Sequence, residues 1–586
     1  MNESSSKPSN DASRLKSLFA EGKLIHPYLS KEFFQDASSS KNNNKDHVAL
    51  NFVDLAASLA ICCGFAPPCS EDDEWACASS DISIISSSPP AAEDIQSRRH
   101  QLAAEIDGNK RHILLILCDG MGNSILQTTL DEQSFLNRNN QQQRLRAVFP
   151  STTPAALTTL ATASWPGIHG MPGWNLRDKK GCDFPGSNNQ QRDGDKAHPP
   201  VQLLVLADQI RDARSGKLVS EMGFDSWDEV FVEQPWARQV ASNTARRQRR
   251  MIYINAYNGD DYQQWSQGTN NQNHQNESRK RKHSDATDFS EWQMGKQASS
   301  ETKQQQQQSS STLFETAKIE ETAFDTLGLP KGSLDAIQYY RDGINAALDL
   351  IAQAERDGES TFTYLYTAHP DKHMHALGVE HAEVRNVVRG IESETERLWR
   401  VLGNREALLA GKYDLDLNVG VKEDENSSKK KDADPVDATV VMTADHGHVT
   451  VHPQDMVILP KCIKELLEYA CIGVHGKGRH GYLYCRTGLQ RTLQQRWKAI
   501  DELHQHFLLL TIEEAIEVGL FGPKCMRMKV RPRLGDFVSI SIGAKTLVTP
   551  SENETFCKGC QCQGAHGSLH PDEMHIPFIL LEPLSR

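Results

Sequence analysis

Apolar runs that end near an aspartate recur along the chain and indicate the fold. One run covers 113–118 and precedes Asp119, a second begins at 361 and reaches Asp371, and a third begins at 438 and reaches Asp445. Short continuous apolar runs are typical of strands buried on both faces. Amphipathic stretches such as 334–360 lie between them and predict helices. The alternation predicts an α/β protein, a three-layer sandwich with a central, mostly parallel sheet and helices on both faces.

Side chains able to bind metal follow the predicted strand ends. They are three carboxylates and three imidazoles: Asp119, Asp371, His375, Asp445, His446 and His566. The carboxyl ends of parallel strands meet at one edge of a sheet, where function gathers in such folds. Buried together, these groups would repel and desolvate one another without a cation. A mixed His/Asp set favours zinc or another transition metal over magnesium.

The segment VFPSTTPAALTT places a hydroxyl at the predicted mouth of a helix. Thr153 precedes Pro154, and Pro is favoured at the first helical position. Taken alone, Thr153 is best explained as a helix cap, because caps are far commoner than nucleophiles. The same position would also stabilise an alkoxide or a bound phosphate. The carboxylates and imidazoles elsewhere in the chain favour this second interpretation.

The length allows two or three average domains or one large α/β domain with insertions, and we expect a single domain over residues 46–586. Residues 1–45 are rich in Ser, Asn and Lys, and we expect them to be disordered or loosely attached. Polar tracts predict insertions at about 180–200, 262–312 and 421–435. The basic run at 278–283 could be a nuclear-import signal, but a solvated charge run is the commoner explanation.

Charge and hydropathy limit the partners. The net charge of −13 gives no electrostatic reason to expect bulk nucleic acid. No run is long enough to cross a bilayer, and the N-terminus lacks the apolar core of a signal peptide. We therefore expect no membrane partner and a cytoplasmic location, in which the 13 scattered cysteines are free thiols.

In combination, the motifs resemble the alkaline phosphatase superfamily. They are DG at Asp119, FPSTT ending at Thr153 with a later HG, PD-x-x-x-H-x-x-G from Pro370, ADHG ending at Gly447, and HG at His566 followed by EM-x-IPF. The pattern is most similar to the type I phosphodiesterase, or nucleotide pyrophosphatase/phosphodiesterase, branch and its bacterial-type relatives. The resemblance runs from about residue 48 to 583, interrupted by the predicted insertions.

The resemblance implies a two-metal hydrolase. It implies Thr153 as the nucleophile, which also binds one zinc ion together with Asp119, Asp445 and His446. It implies that the ligands of the second zinc are Asp371, His375 and His566. Manganese is the alternative metal, and Asn175, 22 residues after Thr153, would bind a phosphoryl oxygen. A small phosphodiester, pyrophosphate or nucleotide-like substrate would then react through a phospho-threonine intermediate.

Two departures leave the substrate open. Pro154 stands where the nucleotide enzymes carry an aromatic residue that helps to stack the base, and the PNH pattern found further along those enzymes is missing. A sulfatase-type CxPxR signature is also absent, which argues against sulfate esters. Hydrolysis of phosphate monoesters or phosphonates at the same site is one alternative, and a non-catalytic scaffold is another. The sequence fixes neither the natural substrate nor the oligomeric state.

Further cysteines and histidines lie near the predicted site. Cys557, Cys560 and Cys562 have a spacing that suits either a structural zinc or free loop thiols. For His373, His448 and His452 the better default is an exposed loop position, although each could support the metal ligands.

Overall fold

The computed structural model describes most of the chain in separate ranges. They are residues 10–35, 48–65, 92–141, 145–178, 201–205, 210–212, 232–233, 235–236, 249–256, 314–318, 332–414, 434–474, 477–523, 526–549 and 563–583. The predicted insertions, apart from residues 434 and 435, lie outside these ranges. So do the basic run at 278–283 and Cys557, Cys560 and Cys562.

Seventeen α-helices occur in the described ranges. In chain order they are α1 (Asn10–Ala20), α2 (Lys31–Gln35), α3 (Phe52–Cys62), α4 (Ala92–Asp107), α5 (Asn123–Thr129), α6 (Phe135–Asn139), α7 (Thr153–Thr162), α8 (Pro166–His169), α9 (Ser333–Asp357), α10 (Asp371–Leu377), α11 (Ala382–Leu402), α12 (Arg405–Leu409), α13 (Lys461–Lys464), α14 (Gln490–Ala499), α15 (Asp501–His506), α16 (Ile512–Val518) and α17 (Pro571–Met574). Two 3₁₀ turns cover Pro453–Asp455 and Arg531–Leu534. None of the described helices is long and apolar enough to span a bilayer.

Twenty strands are described, several of them only two residues long. They are β1 (Leu50–Asn51), β2 (His112–Cys118), β3 (Leu145–Arg146), β4 (Asn175–Asp178), β5 (Val201–Val205), β6 (Ile210–Asp212), β7 (Arg250–Ala256), β8 (Phe314–Lys318), β9 (Thr361–Thr367), β10 (Ala438–Thr443), β11 (Val449–Thr450), β12 (Met456–Ile458), β13 (Leu467–Val474), β14 (Lys477–Cys485), β15 (Phe507–Thr511), β16 (Phe537–Ser541), β17 (Thr546–Val548), β18 (Gly564–Ala565), β19 (His575–Ile576) and β20 (Ile579–Leu581).

The central sheet has the order β20-β10-β2-β9-β7-β8. Every pairing in it is parallel except that of β20 with β10. All residues of β2, β9 and β10 are buried, as expected for strands covered on both faces. Helix α9 packs on β7 and β9, and α4 contacts β10. The predicted α/β architecture with a mostly parallel central sheet is confirmed.

A second six-stranded sheet was not predicted from the alternation of strands and helices. It has the order β12-β17-β14-β16-β15, with β13 also paired to β14. Most of its pairs are antiparallel. A separate cluster of buried apolar residues, which includes Leu483, Trp497 and Leu509, packs beneath it. Its strand β14 carries Arg479 and His480 toward the predicted site.

The N-terminal segment differs from the expectation over residues 10–35. In α1 the apolar side chains of Leu15, Leu18 and Phe19 are buried. The helix contacts β15 and α16, and the N–H of Ile25, just beyond the helix, donates to the carbonyl oxygen of Leu569 at 2.8 Å. A short apolar stripe with helical spacing is therefore enough to attach this segment, although its overall composition is polar.

Candidate active site

Three neighbouring strands bring the predicted carboxylates to one edge of the central sheet. β2 pairs in parallel with β10 on one side and with β9 on the other. Asp119 follows β2 directly, Asp445 lies two residues beyond β10, and Asp371 opens α10. The N–H of Asp371 donates to the carbonyl oxygen of Asp119 at 3.1 Å, and the N–H of Gly120 donates to Asp445 Oδ1 at 3.0 Å. The carboxylates converge as the strand pattern predicted.

Glycines in the DG and DHG motifs allow these loops to approach closely. Gly120 has a φ of +73°, and a Cβ placed on it would lie 2.9 Å from the Cβ of Asp371. A Cβ on Gly447 would lie 1.9 Å from the carbonyl oxygen of Asp572. Both distances are too short for a side chain. The glycines are therefore required by backbone packing around the site.

Thr153 is the first residue of α7 and is buried. The cap position belongs to Thr152, whose backbone is extended with φ −133° and ψ 146°. The Oγ1 atom of Thr153 is therefore available to the site, where it lies 3.1 Å from His446 Nε2. The helix start was predicted correctly, but the residue that serves as its cap is one position earlier.

Asp119, Asp445 and His446 form the first polar cluster beside Thr153. His446 Nε2 lies 3.6 Å from Asp119 Oδ1 and 3.3 Å from Asp445 Oδ2. Within the described part of the chain, neither of these buried oxygens receives a hydrogen bond. Burial, followed by the negative charges of Asp445 and Asp371, raises the pKa of Asp119 well above its usual value. A cation would relieve this concentration of unneutralised charge.

Asp371 is the centre of the second cluster. Its Oδ2 lies 3.5 Å from His375 Nε2, and its Oδ1 lies 2.6 Å from His448 Nε2 and 3.9 Å from His566 Nε2. Burial alone would raise the pKa of Asp371. The charge of His375 and the hydrogen bond from His448 outweigh burial and hold this pKa well below its usual value.

Backbone carbonyls orient three of the imidazoles. In each, the Nδ1–H donates to a carbonyl oxygen: His446 to Gly447 at 3.0 Å, His375 to Gly564 at 2.9 Å and His566 to Ser151 at 2.7 Å. This bond fixes the tautomer with the proton on Nδ1, so Nε2 keeps a free lone pair that can bind a metal. Metal-binding histidines are commonly held in this way, because the hydrogen bond to the carbonyl oxygen sets the orientation of the ring.

The donor atoms fall into two adjacent groups that suit metal ions. Within each group the ligand atoms lie within 4.8 Å of one another: Asp371, His375, His448 and His566 in one, and Asp119, Asp371 and His446 in the other. Asp371 belongs to both, and the rings of His446 and His566 stack with centroids 3.6 Å apart. Nitrogen and carboxylate donors with unpaired buried oxygens fit zinc or a related transition metal.

The expectation for two of the nearby histidines was wrong. His448 is buried rather than exposed, and it donates its Nε2–H to Asp371. His373 is also buried, with its Nδ1 3.1 Å from that of His369. His452 is exposed, as expected. His448 lies two residues after His446 and just before β11, but sequence spacing alone does not show that this loop folds back over the sheet edge that carries His446.

A buried ion pair that the motifs did not predict supports the site. Glu573 Oε1 accepts from Arg479 Nε at 2.5 Å, and neither side chain is exposed. Glu573 Oε2 accepts from the N–H of Ser568 at 2.6 Å and lies 3.2 Å from Ser151 Oγ, whose hydroxyl also donates to the carbonyl oxygen of Ser568 at 2.7 Å. Since Ser151 O is the acceptor of His566 Nδ1, the pair braces both the Thr153 segment and a metal-binding imidazole.

Asn175 begins β4 and is half-buried. Gly173, two residues earlier, lies against the segment before Thr153: a Cβ built on it would be 3.8 Å from Pro150 Cγ. The chain therefore returns to the neighbourhood of α7 before Asn175. Its contact with a phosphoryl oxygen stays a prediction.

Comparison with known proteins gives one family. The model of the type I phosphodiesterase/nucleotide pyrophosphatase family matches residues 113–569. Murine ectonucleotide pyrophosphatase/phosphodiesterase 5 is 13% identical, with 80% of this chain and 87% of that chain covered and a TM-score of 0.41. Phosphonoacetate hydrolase from Sinorhizobium meliloti 1021, solved with phosphonoformate, is 15% identical, with 81% and 91% covered and a TM-score of 0.45. A search of curated proteins found no match.

The family match spans more than half of the chain and contains every predicted metal-binding residue. It confirms the resemblance drawn from the motifs. The protein is thus a hydrolase of the phosphodiesterase/nucleotide pyrophosphatase kind, and it belongs to the type I phosphodiesterase/nucleotide pyrophosphatase family.

Proposed function

We propose that the protein hydrolyses phosphate diester or pyrophosphate bonds, with Thr153 as the nucleophile. Thr153 Oγ1 would lose its proton to solvent, attack phosphorus and form an Oγ1–phosphorus bond, while the bond to the leaving oxygen breaks and that oxygen departs with its electron pair. Water would then cleave that bond and restore the hydroxyl. The observation that carries the proposal is the 3.1 Å separation of buried Thr153 Oγ1 from His446 Nε2, beside two carboxylates.

Two divalent metal ions, zinc by donor chemistry, would complete this site. One would be held by Thr153, Asp119, Asp445 and His446, and the other by Asp371, His375 and His566. Bound there, the metals would supply Lewis-acid chemistry: a lower pKa for the attacking hydroxyl and neutralisation of developing negative charge.

The chain's own groups would position the phosphoryl oxygens. Thr153 opens α7, so the unpaired N–H groups of the first turn point toward a bound phosphate. Asn175 would add a side-chain donor to a non-bridging oxygen. Such donors act in the buried site without reorganisation during the reaction.

The number of potential metal sites favours a diester or pyrophosphate substrate over a monoester. The described residues contain the two groups of potential ligands given above, with no separate third cluster among them. Pro154 follows the nucleophile where an aromatic residue would stack a base, so we propose no preference for nucleotides.

Thr153→Ala tests the nucleophile. With bis-p-nitrophenyl phosphate, we expect turnover to fall by roughly 10³-fold or more while the bound zinc measured by elemental analysis is retained. Thr152→Ala is the matched control, because its buried Oγ1 has no hydrogen-bond partner among the described residues, and it should keep most of the activity. In wild-type protein, acid quenching followed by peptide mass spectrometry should find the p-nitrophenyl phosphoryl group on Thr153.

Full activity of Thr153→Ala would refute the assignment of Thr153 as the nucleophile. A panel of diester, monoester, dinucleotide and phosphonate substrates separates the alternatives. Activity confined to monoesters or phosphonates would overturn the substrate class, and no activity with zinc or manganese supplied would favour a non-catalytic role.

A further inference from the structure

A cavity of about 380 Å³ lies between the N-terminal segment and the β3–β19 pair. Its lining comes from residues 19–34 on one side and from Arg146, Pro571 and His575 on the other. None of these residues belongs to the metal clusters. The volume lies within the range of small-molecule sites, at its lower end.

Arg146 brings a positive charge to this cavity, and the carboxylate of Glu32, which lines the same cavity, acts on that charge without forming an ion pair among the described residues. Its Nη1 donates to the carbonyl oxygens of His26 and Leu29, at 2.9 and 2.6 Å. Its Nε is buried and has no hydrogen-bond acceptor in the described part of the chain. Among the described residues, the guanidinium also forms no ion pair. Burial lowers the pKa of Arg146 to about 10, so the side chain is still cationic at neutral pH. A half-buried guanidinium that forms no ion pair among the described residues is suited to an anionic ligand.

His575 stands beside Arg146 and adds a second unsatisfied nitrogen. The two residues are directly opposite in the antiparallel β3–β19 pair, so their side chains share a face. His575 Nδ1 is buried and lacks a hydrogen-bond partner among the described residues. Burial, then the charge of Arg146, lowers the pKa of His575 to about 4, so the neutral ring can donate one hydrogen bond at pH 7.

The rest of the lining sets the character of a ligand. Lys31 and Glu32 at the rim offset one another, so Arg146 leaves the cavity with a net positive charge. Phe19 and Phe34, with ring centroids 4.9 Å apart, provide an aromatic wall. Such a site combines one anion-binding end with an apolar body.

We propose that this cavity binds a small ligand that carries an oxyanion, a carboxylate or a phosphoryl group, on a compact apolar body. The guanidinium of Arg146 receives the oxyanion, His575 donates a hydrogen bond to it, and the apolar body packs against Phe19 and Phe34. Since the cavity is separate from the metal clusters, this proposal does not depend on the proposed hydrolytic activity. Occupancy would tie residues 19–34 to β3 and β19 and stabilise the folded protein by mass action.

Calorimetric titration of the full-length, metal-loaded protein with benzoate, phenylphosphonate and inorganic phosphate tests the site. We expect saturable binding of at least one of the two aromatic probes with a Kd on the order of millimolar, as suits a fragment-sized ligand. Binding of benzoate alone identifies a carboxylate site, and binding of phenylphosphonate and phosphate identifies a phosphoryl site.

Variants separate the cavity from the metal site. Lys31→Glu, an exposed change, and Arg146→Lys, which keeps the charge but loses the planar fork, should each weaken binding by roughly tenfold. Arg491→Met, an exposed arginine outside the cavity, is the control and should bind normally. Equal affinity in wild type, Lys31→Glu and Arg146→Lys would overturn the proposal. So would binding that disappears on chelation of the metal but not in these variants, or no saturable binding of any probe.

Discussion

Glu573→Gln should destabilise the protein strongly, because it breaks a fully buried ion pair. Arg479 and Glu573 are both 0% exposed, and their Nε and Oε1 atoms lie 2.5 Å apart. In the variant the amide oxygen can still accept from the N–H of Ser568, so that hydrogen bond is retained. The charge of Arg479, however, is left without its counter-ion. Breaking a buried pair from one side costs about 3–5 kcal/mol, a third or more of the stability of many domains.

A surface pair with the same shortest separation provides the control. Arg531 Nη2 and Glu513 Oε1 are also 2.5 Å apart, but the Glu513 side chain is 68% exposed. Glu513→Gln should therefore cost less than about 1 kcal/mol. Urea unfolding followed by tryptophan fluorescence, at fixed zinc concentration and pH, measures both free energies of unfolding.

The double variant Arg479→Met/Glu573→Gln completes the cycle. It removes both buried charges, so its cost should fall short of the sum of the single costs by at least about 2 kcal/mol. If Glu573→Gln costs no more than Glu513→Gln, or if the single costs simply add, the ion pair does not hold this part of the fold together.

Two further predictions concern histidines. The ring of His26 donates from Nε2 to the carbonyl oxygen of Val518 and accepts at Nδ1 from the N–H of Leu29, and burial lowers its pKa from 6.5 to about 3. The neutral ring therefore contributes stability above pH 6.5 that is lost as pH falls toward 3. His26→Asn should flatten the decline of the wild-type free energy of unfolding between pH 6 and 4 by up to about 1.4 kcal/mol per pH unit. Identical pH slopes of this free energy in the wild type and the variant, measured by urea unfolding, would contradict this. At His448, Ala should weaken zinc binding by about 10–100-fold in a chelator competition, whereas Gln, whose amide nitrogen reaches the position of Nε2, should largely restore it. If His448 is instead a metal ligand, Gln will fail to rescue and the absorption spectrum of the cobalt-substituted protein will change.

Much of the central sheet and the composition of the site could be predicted from the sequence. The apolar runs before Asp119, Asp371 and Asp445 identified β2, β9 and β10, because strands buried on both faces need continuous apolar sequence. Parallel strands must end at a common edge, so the carboxylates were expected to meet. The order of the motifs then identified the family, which the match over residues 113–569 confirms.

Other features depended on contacts between distant parts of the chain. Composition suggested that the N-terminal segment was loose, yet the few apolar residues of α1 find a matching surface at β15 and α16. His448 was assigned to an exposed loop, because sequence spacing does not show which loops fold back over a sheet edge. The second sheet was missed since antiparallel pairing over 456–548 depends on register rather than on strand–helix alternation.

The sequence by itself determined which chemical groups follow the strands of the central sheet and that a hydroxyl begins α7. These are local properties, set by hydrophobic periodicity and by the residues at element ends. Only the tertiary structure decided which oxygens remain without hydrogen bonds, which imidazole holds Asp371, and that Glu573 braces the loop before Thr153. Those facts depend on burial and on distances of about 3 Å between residues hundreds of positions apart, which no local pattern specifies.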